Sequence, residues 1–290
     1  MYSIPDEKKI RVIIDTDAAC EADDPFAIVH TLLSPKLIVE GIVSEHFAEE
    51  GSAEKSLDEI ETILEKMDLK VPAFPGQRGP LAVCREISPA VKFIISEAMK
   101  EDEKPLYILC QGAVTNLAAA FRVCPEIRKR ITVIWIGTHG EGDRKAPFRE
   151  FNAGNDVEAA NEVLQSGVRL WLVPSDVYTT VTVGISELEL KVAPCGAIGK
   201  HLFENLVQYN LSDRAGWTQG ESWSLGDSPA AAIAINPGCG SYTEAPAPWV
   251  AEDTASVRKD DNPVIRIYTS VDSRYILEDF FAKLRLNFGT

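Results

Sequence analysis

The feature that most constrains this chain is an alternation of short β-branched runs with stretches of helical period, sustained from residue 10 to residue 173. Ile10-Arg11-Val12-Ile13-Ile14 is too apolar for a strand with one wet face and reads as a central strand buried on both sides. A helix is expected over 25–33, with Asp24 as N-cap and Pro25 at the first helical position. A second strand follows at 37–44, an amphipathic helix over 56–67, and strand-like text at 71–74 that stops at Pro75-Gly76. Helices over 90–99, 114–123 and 157–165 then alternate with strands at 106–110, 132–136 and 169–173. This βαβα order predicts an α/β fold, a mostly parallel central sheet with helices on both faces. In such sheets ligands bind beyond the carboxyl ends of the strands. After residue 173 the text reads as a helix over 185–210, a Gly-, Ser- and Trp-rich stretch at 218–227, and a late antiparallel strand at 264–269. A closing helix is expected over 271–284. No repeat, low-complexity tract or Pro/Gly linker divides the chain, so residues 1–290 read as a single domain.

The charge balance narrows the partners. The chain carries 29 basic and 44 acidic residues, a net charge of −15. Such a surface repels phosphate backbones, and no basic run offers a footprint for one, which argues against nucleic acid. No stretch approaches the roughly 18 consecutive apolar residues of a membrane span, and no apolar leader follows the N-terminus. None of the six cysteines forms a C-x-x-C pair, and several lie in apolar text, as Cys110 does. Inert thiols in a reducing compartment are expected, hence a cytoplasmic protein.

Chemistry concentrates where strands give way to helices. Asp15-Thr16-Asp17 ends the first strand and Asp23-Asp24 opens its helix, with Glu21 between them. Carboxylates at this density repel one another unless a cation or protons relieve them. Ca²⁺ takes six to eight oxygen ligands of mixed kind. The bland alternative is an acidic loop whose Asp24 merely caps a helix. Haloacid dehalogenase-like phosphatases also place two aspartates here, but they want Thr or Val where this chain has Ala19. Gln111-Gly112-Ala113-Val114-Thr115-Asn116 forms a strand-to-helix turn whose glycine permits close backbone approach. Glu150-Phe151-Asn152, with Asp143 upstream, puts a carboxylate and an amide two positions apart in an extended segment, a pairing suited to sugar hydroxyls. Asp227 opens a late apolar helix, and Trp223 and Trp217 offer either stacking faces or core packing.

In this order the segments resemble the inosine/uridine-preferring nucleoside hydrolase family, from Arg11 to about Leu284. The likeness includes Val71-Pro72-Ala73-Phe74-Pro75-Gly76 before Pro80-Leu81, the Gly112 to Asn116 turn, and Pro125-Glu126-Ile127 before a strand containing Trp135. It also includes Glu150-Phe151-Asn152 and Gly226-Asp227-Ser228-Pro229. The resemblance implies a Ca²⁺-dependent N-ribohydrolase on a Rossmann-related domain, acting on ribonucleosides as a homo-oligomer, dimer or tetramer. It implies Asp17, Asp24 and Asp227 as metal ligands by side chain and Gln111 by backbone carbonyl. Asp17 is implied as the base for the attacking water. Asp23 would hold ribose hydroxyls beside the metal, with Asp143, Glu150 and Asn152 gripping the rest of the sugar, and Asp15 would orient the site. Asp227 and Trp223 complete the expected substrate contacts.

The chain also departs from that pattern. Two extra residues lie between Asp17 and Asp23, and Asp143 stands where an asparagine is expected. The asparagine expected after the second strand has no counterpart in 44–48. Gly226 stands where many members carry the histidine that protonates the leaving base. His139, His46 and Glu45 are the substitutes to test, each with a structural role as the alternative. These departures motivate two further readings, a non-catalytic ribose-binding protein and a hydrolase of another ribosyl glycoside.

Overall fold

Strand β1 (Ile10–Thr16) is buried along its whole length, and its side chains alternate between two separate cores. Val12 and Ile14 join one core with Phe26, Trp171 and Phe280, while Ile13 joins the other with Ile108, Phe121 and Trp135. This is the two-sided burial that the apolar residues of the run demand, each buried aliphatic contributing about 1.5–3 kcal/mol, while the buried Arg11 within it pairs with Glu40 and Glu97. The computed structural model describes residues 2–47, 49–84, 86–140 and 148–289.

The first half of the chain follows the expected alternation: α1 (Asp24–Leu32), β2 (Leu37–Ser44), α2 (Ser52–Met67), β3 (Ala73–Phe74), α3 (Pro89–Ala98), β4 (Leu106–Cys110), α4 (Thr115–Val123) and β5 (Ile131–Ile136). Then come α5 (Phe151–Asn155), α6 (Val157–Gln165), β6 (Arg169–Val173), α7 (Ser175–Tyr178), β7 (Thr182–Gly184), α8 (Ile185–Lys191) and α9 (Gly196–Asn210). The last stretch holds β8 (Ser222–Ser224), α10 (Ser228–Ile235), β9 (Gly240–Pro246), β10 (Trp249–Val250), β11 (Ser256–Val257), β12 (Val264–Val271) and α11 (Ser273–Phe288). Among the described residues eight strands form one sheet in the order β3-β2-β1-β4-β5-β6-β12-β9. All neighbours are parallel except β12 and β9. Among the described residues no helix is long and apolar enough to cross a membrane.

Four local expectations need correction. The late strand is antiparallel only to β9; its other edge runs parallel to β6, so it extends the parallel sheet and then lets a hairpin-like partner close the edge. The helix expected over 185–210 is two helices, broken where Pro194 cannot donate a backbone hydrogen bond and Gly196 takes a positive φ of 65°. Asp24 is the first residue of α1 rather than its cap; Asp23 holds the cap position, and its side chain makes no capping bond. Glu150 and Asn152 do not share an extended segment. Glu150 caps α5, accepting from the Ala153 amide, and Asn152 lies within that helix.

The six cysteines are free thiols, four of them buried. Burial holds the thiols of Cys20 and Cys110 well above their usual range, in keeping with inert sulfur.

Candidate functional site

Parallel pairing brings Asp15 level with Val43 on β2 and Cys110 on β4, so the acidic run emerges where three strands end together. Asp15 is fully buried. Its Oδ1 accepts from Asn116 Nδ2 at 2.9 Å, and the same amide also bonds the Ser44 carbonyl. Asn116, at the start of α4, thus supplies an amide between β1 and β2 from a different segment than the one after the second strand. Among the described residues Asp15 Oδ2 has no partner.

Asp17 follows with 2% exposure, and its Oδ2 is likewise buried without a partner. Its other oxygen lies against Gly112 at the end of β4, where a Cβ would come within 2.8 Å of Oδ1. The preceding residue, Gln111, is tied to β1 by its amide, which donates to the Asp15 carbonyl at 2.8 Å. Thr16 donates its hydroxyl to Asp24 Oδ1. The loop between Asp17 and Asp23 turns at once, with the Cys20 amide donating to the Asp17 carbonyl at 2.7 Å. The two extra residues are absorbed there, and Asp23 and Asp24 return to the strand end. Asp227, reached from α10, completes the group: its amide donates to Asp23 Oδ2 at 3.3 Å.

Oxygens of Asp23, Asp24 and Asp227 lie within 4.8 Å of one another. Burial is the main cause that raises every carboxyl here; repulsion adds to it at Asp17, Glu21, Asp24 and Asp227, while hydrogen bonds oppose it at Asp15 and Asp23. Asp23 is pushed up to about 6, Asp15 and Asp24 to about 7, and Asp17 and Asp227 well above the carboxylate range. Glu21 rises to about 8, partly offset by Arg214. An all-oxygen donor set, with one oxygen of Asp17 left unbonded, is what a hard divalent cation takes. The residues present fit such an ion.

Across this cluster stands Glu150, fully buried at the start of α5. Its Oε2 accepts from the Ala153 amide at 2.8 Å and its Oε1 from the Tyr178 hydroxyl at 3.0 Å. Burial raises its carboxyl, while the backbone of Ala153 and Thr138 and the Tyr178 phenol act against the rise. Asn152 donates through Nδ2 to the Ile136 carbonyl at the end of β5. Asp143 lies outside the described residues. Trp223, 5% exposed, packs with Tyr209 and Trp217 at ring separations of 5.5 and 6.3 Å, whereas Trp217 is 61% exposed. Tyr209 feels the charges of Glu21 and Asp23, which sets this aromatic group beside the acidic loop.

The substitutes for a histidine at 226 are all otherwise engaged. His139 Nδ1 pairs with Ser175 Oγ at 2.6 Å and Nε2 with the Phe148 carbonyl at 2.9 Å. His46 Nε2 pairs with Thr115 Oγ1 at 2.8 Å. Glu45 accepts backbone amides from His46 and Asn116 on its two oxygens. Each serves the architecture behind the carboxylates. Sequence reasoning missed Thr16, Asn116 and Tyr178. The signal for Tyr178 was its place just past the carboxyl end of β6.

The profile of the inosine-uridine preferring nucleoside hydrolases matches residues 12–277. A pyrimidine-specific ribonucleoside hydrolase, RihB, from Escherichia coli is 27% identical over 248 residues, covering 77% of this chain and 75% of that protein. Among solved structures, a purine-preferring ribonucleoside hydrolase from Gardnerella vaginalis superposes with a TM-score of 0.80 at 19% identity, over 96% of this chain and 99% of that one. A plant nucleoside hydrolase superposes with a TM-score of 0.78 at 20% identity, over 95% and 98%. The structural likenesses establish a shared fold. The profile match, running from the middle of β1 into α11, establishes more: this chain belongs to the inosine-uridine preferring nucleoside hydrolase family and is an enzyme of the ribonucleoside hydrolase class.

Proposed function

We propose that the protein hydrolyses the N-glycosidic bond of ribonucleosides in a Ca²⁺-dependent reaction, releasing free base and ribose. The observation that carries this reading is the convergence of Asp23, Asp24 and Asp227 beside a buried, unpartnered oxygen of Asp17. Asp17, Asp24 and Asp227 would hold the ion by side chain and Gln111 by its carbonyl. When bound, the ion supplies Lewis acidity and orientation to the attacking water.

The chain's own residues do the rest. Asp17 accepts the proton of the attacking water; an oxygen with no competing hydrogen bond suits that task. Asp23, carried at the cap position of α1, receives ribose hydroxyls, and Glu150, Asn152 and Asp143 grip the remainder of the sugar. Trp223 and the aromatic group around it border the space for the base. As the bond to the base stretches, positive charge builds on the ribose ring, and buried carboxylates stabilise it in surroundings where charges act strongly.

The leaving base is the open side of this reaction. Gly226 carries no acid, and His46 and His139 are committed to structural partners. This favours a second reading on the same scaffold, hydrolysis of ribosides whose leaving group needs little protonation. A non-catalytic ribose-binding protein is the remaining alternative. A homo-oligomer in a reducing, cytoplasmic compartment is in keeping with the family likeness and the free thiols.

The test is calorimetric titration of chelator-treated protein with Ca²⁺, with and without ribose, followed by a nucleoside panel scored for free ribose. Ca²⁺ binding strengthened by ribose, with turnover of at least one nucleoside, is expected. Binding without turnover would leave the ribose-binding reading, and no Ca²⁺ binding would overturn the proposed mechanism.

A further inference from the structure

Tyr178 ends the short helix α7, just past β6, and its side chain reaches back into the carboxylate-lined space. Two independent contacts fix it. Its hydroxyl donates to Glu150 Oε1 at 3.0 Å. Its ring lies beside Gly226, so close that a Cβ there would sit 3.1 Å from Tyr178 Cδ2 and 3.2 Å from Asp23 Oδ2. A side chain at 226 would have to push the tyrosine ring and the Asp23 carboxylate back by a few tenths of an ångström. The backbone of Tyr178 is itself pinned, its amide donating to the Pro174 carbonyl at 3.0 Å and its carbonyl accepting from the Val181 amide at 3.3 Å.

The consequence for Glu150 is specific. Its Oε2 is held by the Ala153 amide, and the Thr138 backbone also bonds the carboxylate, so Tyr178 is the side-chain donor that completes its set. The phenol engages the second oxygen, Oε1, and so bears directly on how that oxygen is aimed. Burial first, and then the charges of Glu150, Asp227 and Glu21, raise the phenol far above its usual range, so it stays protonated and acts as a donor rather than as an acid. We propose that Tyr178 is a positioning residue that orients Glu150 toward one sugar hydroxyl, with Gly226 leaving space for its ring. The inference rests on the reading of Glu150 as a ribose-binding group.

A merely structural tyrosine and a positioning one separate under the conservative change Tyr178→Phe, which keeps the ring and removes the hydroxyl. The measurement is kcat/KM of wild type, Tyr178→Phe, Glu150→Gln and the double variant. Each is assayed on the best nucleoside from the panel and on its 2′-, 3′- and 5′-deoxy analogues. Loss of one hydrogen bond to a charged partner predicts roughly a 10-fold fall on the parent nucleoside, carried mainly by KM. The fall should vanish for the one analogue lacking the hydroxyl that Glu150 holds. In the Glu150→Gln background the phenylalanine should add less than about twofold, since interacting residues are non-additive. Equal losses on all four substrates, or full additivity with Glu150→Gln, would overturn the proposal. If the wild type turns over no nucleoside, the hydrolase reading fails by itself. Ribose calorimetry in saturating Ca²⁺ then decides the positioning role, supported by a several-fold weaker Kd in Tyr178→Phe and overturned by an unchanged one.

Discussion

Asp17 and Gly112 are fitted to one another: a Cβ on residue 112 would stand 2.8 Å from Asp17 Oδ1 and 2.9 Å from its Cγ. The carboxylate that ends β1 thus rests against bare backbone at the end of β4. Both neighbours of that contact are held, since the Gln111 amide bonds the Asp15 carbonyl and the Gly112 carbonyl accepts from Trp135 Nε1 at 3.0 Å. Gly112→Ala should therefore displace the carboxylate rather than the turn. Overpacking of this kind costs about 1–3 kcal/mol. The expected result is Ca²⁺ affinity at least about tenfold weaker in calorimetry, with the fold retained by circular dichroism. Unchanged affinity would show that Asp17 need not occupy its present place.

Asp17→Asn keeps the shape of the side chain and removes its charge and basicity. Turnover should fall by about 10²–10⁴, the usual worth of a general base. In chelator the variant should melt no lower than wild type, because an unpartnered buried carboxyl is lost. A variant retaining wild-type kcat would reassign the base.

The carboxyl cluster also fixes a pH dependence. In the ion-free fold Asp23 titrates at about 6, Asp15 and Asp24 at about 7 and Glu21 at about 8, against roughly 4 in an unfolded chain. Folded values above unfolded ones mean that the native state holds the extra protons. Its stability therefore declines as pH rises from about 4 to about 8 and is lowest above that window. Melting curves in chelator should fall in temperature from pH 5 to pH 8, and saturating Ca²⁺ should flatten the decline while its binding releases protons. A flat ion-free profile would contradict the burial that raises these carboxyls.

The two tryptophans should part company under mutation. Trp223 is 5% exposed and packed on Tyr209, so Trp223→Ala should cost about 3–5 kcal/mol and lower the melting temperature outright. Trp217 is 61% exposed, and Trp217→Ala should alter stability by no more than about 0.5 kcal/mol. A several-fold rise in nucleoside KM for Trp217→Ala at unchanged kcat would place the outer ring against the base; no change in KM would confine the pair to packing.

With Gly226 offering no acid, the rate should depend steeply on the leaving group. An O-riboside of an acidic phenol is expected to turn over at least about 100-fold faster than a nucleoside with a poorly departing base, since general acid help is worth 10²–10⁴-fold where present. Comparable rates for the two would reveal a proton donor not yet identified.

The sheet was legible because burial on both faces leaves a plain mark: Ile10 to Ile14 has no polar alternation, and the matching runs at 106–110 and 169–173 fall on strands with the same bounds. The acidic sites at Asp17, Asp23, Asp24 and Asp227 were legible as dense like charge at strand and helix ends. What stayed hidden depended on pairing between distant segments. Nothing local tells that Asn116 bonds Asp15 or that Tyr178 bonds Glu150, because those contacts arise from strand register. The local geometry of Glu150 was misread for a related reason. Its side chain spends one oxygen on starting a helix that five residues are too few to announce.

The bond from the Asp227 amide to Asp23 joins positions 204 residues apart. An ion gripping the neighbouring Asp24 together with Asp227 is therefore a clip across much the same span, closing roughly two-thirds of the polypeptide into one ring. Ring closure costs an unfolded chain entropy that grows only slowly with length, and ion binding to the folded state alone offsets it by mass action. Resistance to unfolding should then track free Ca²⁺, so that withdrawing the ion loosens the start of α10 as much as the loop after β1.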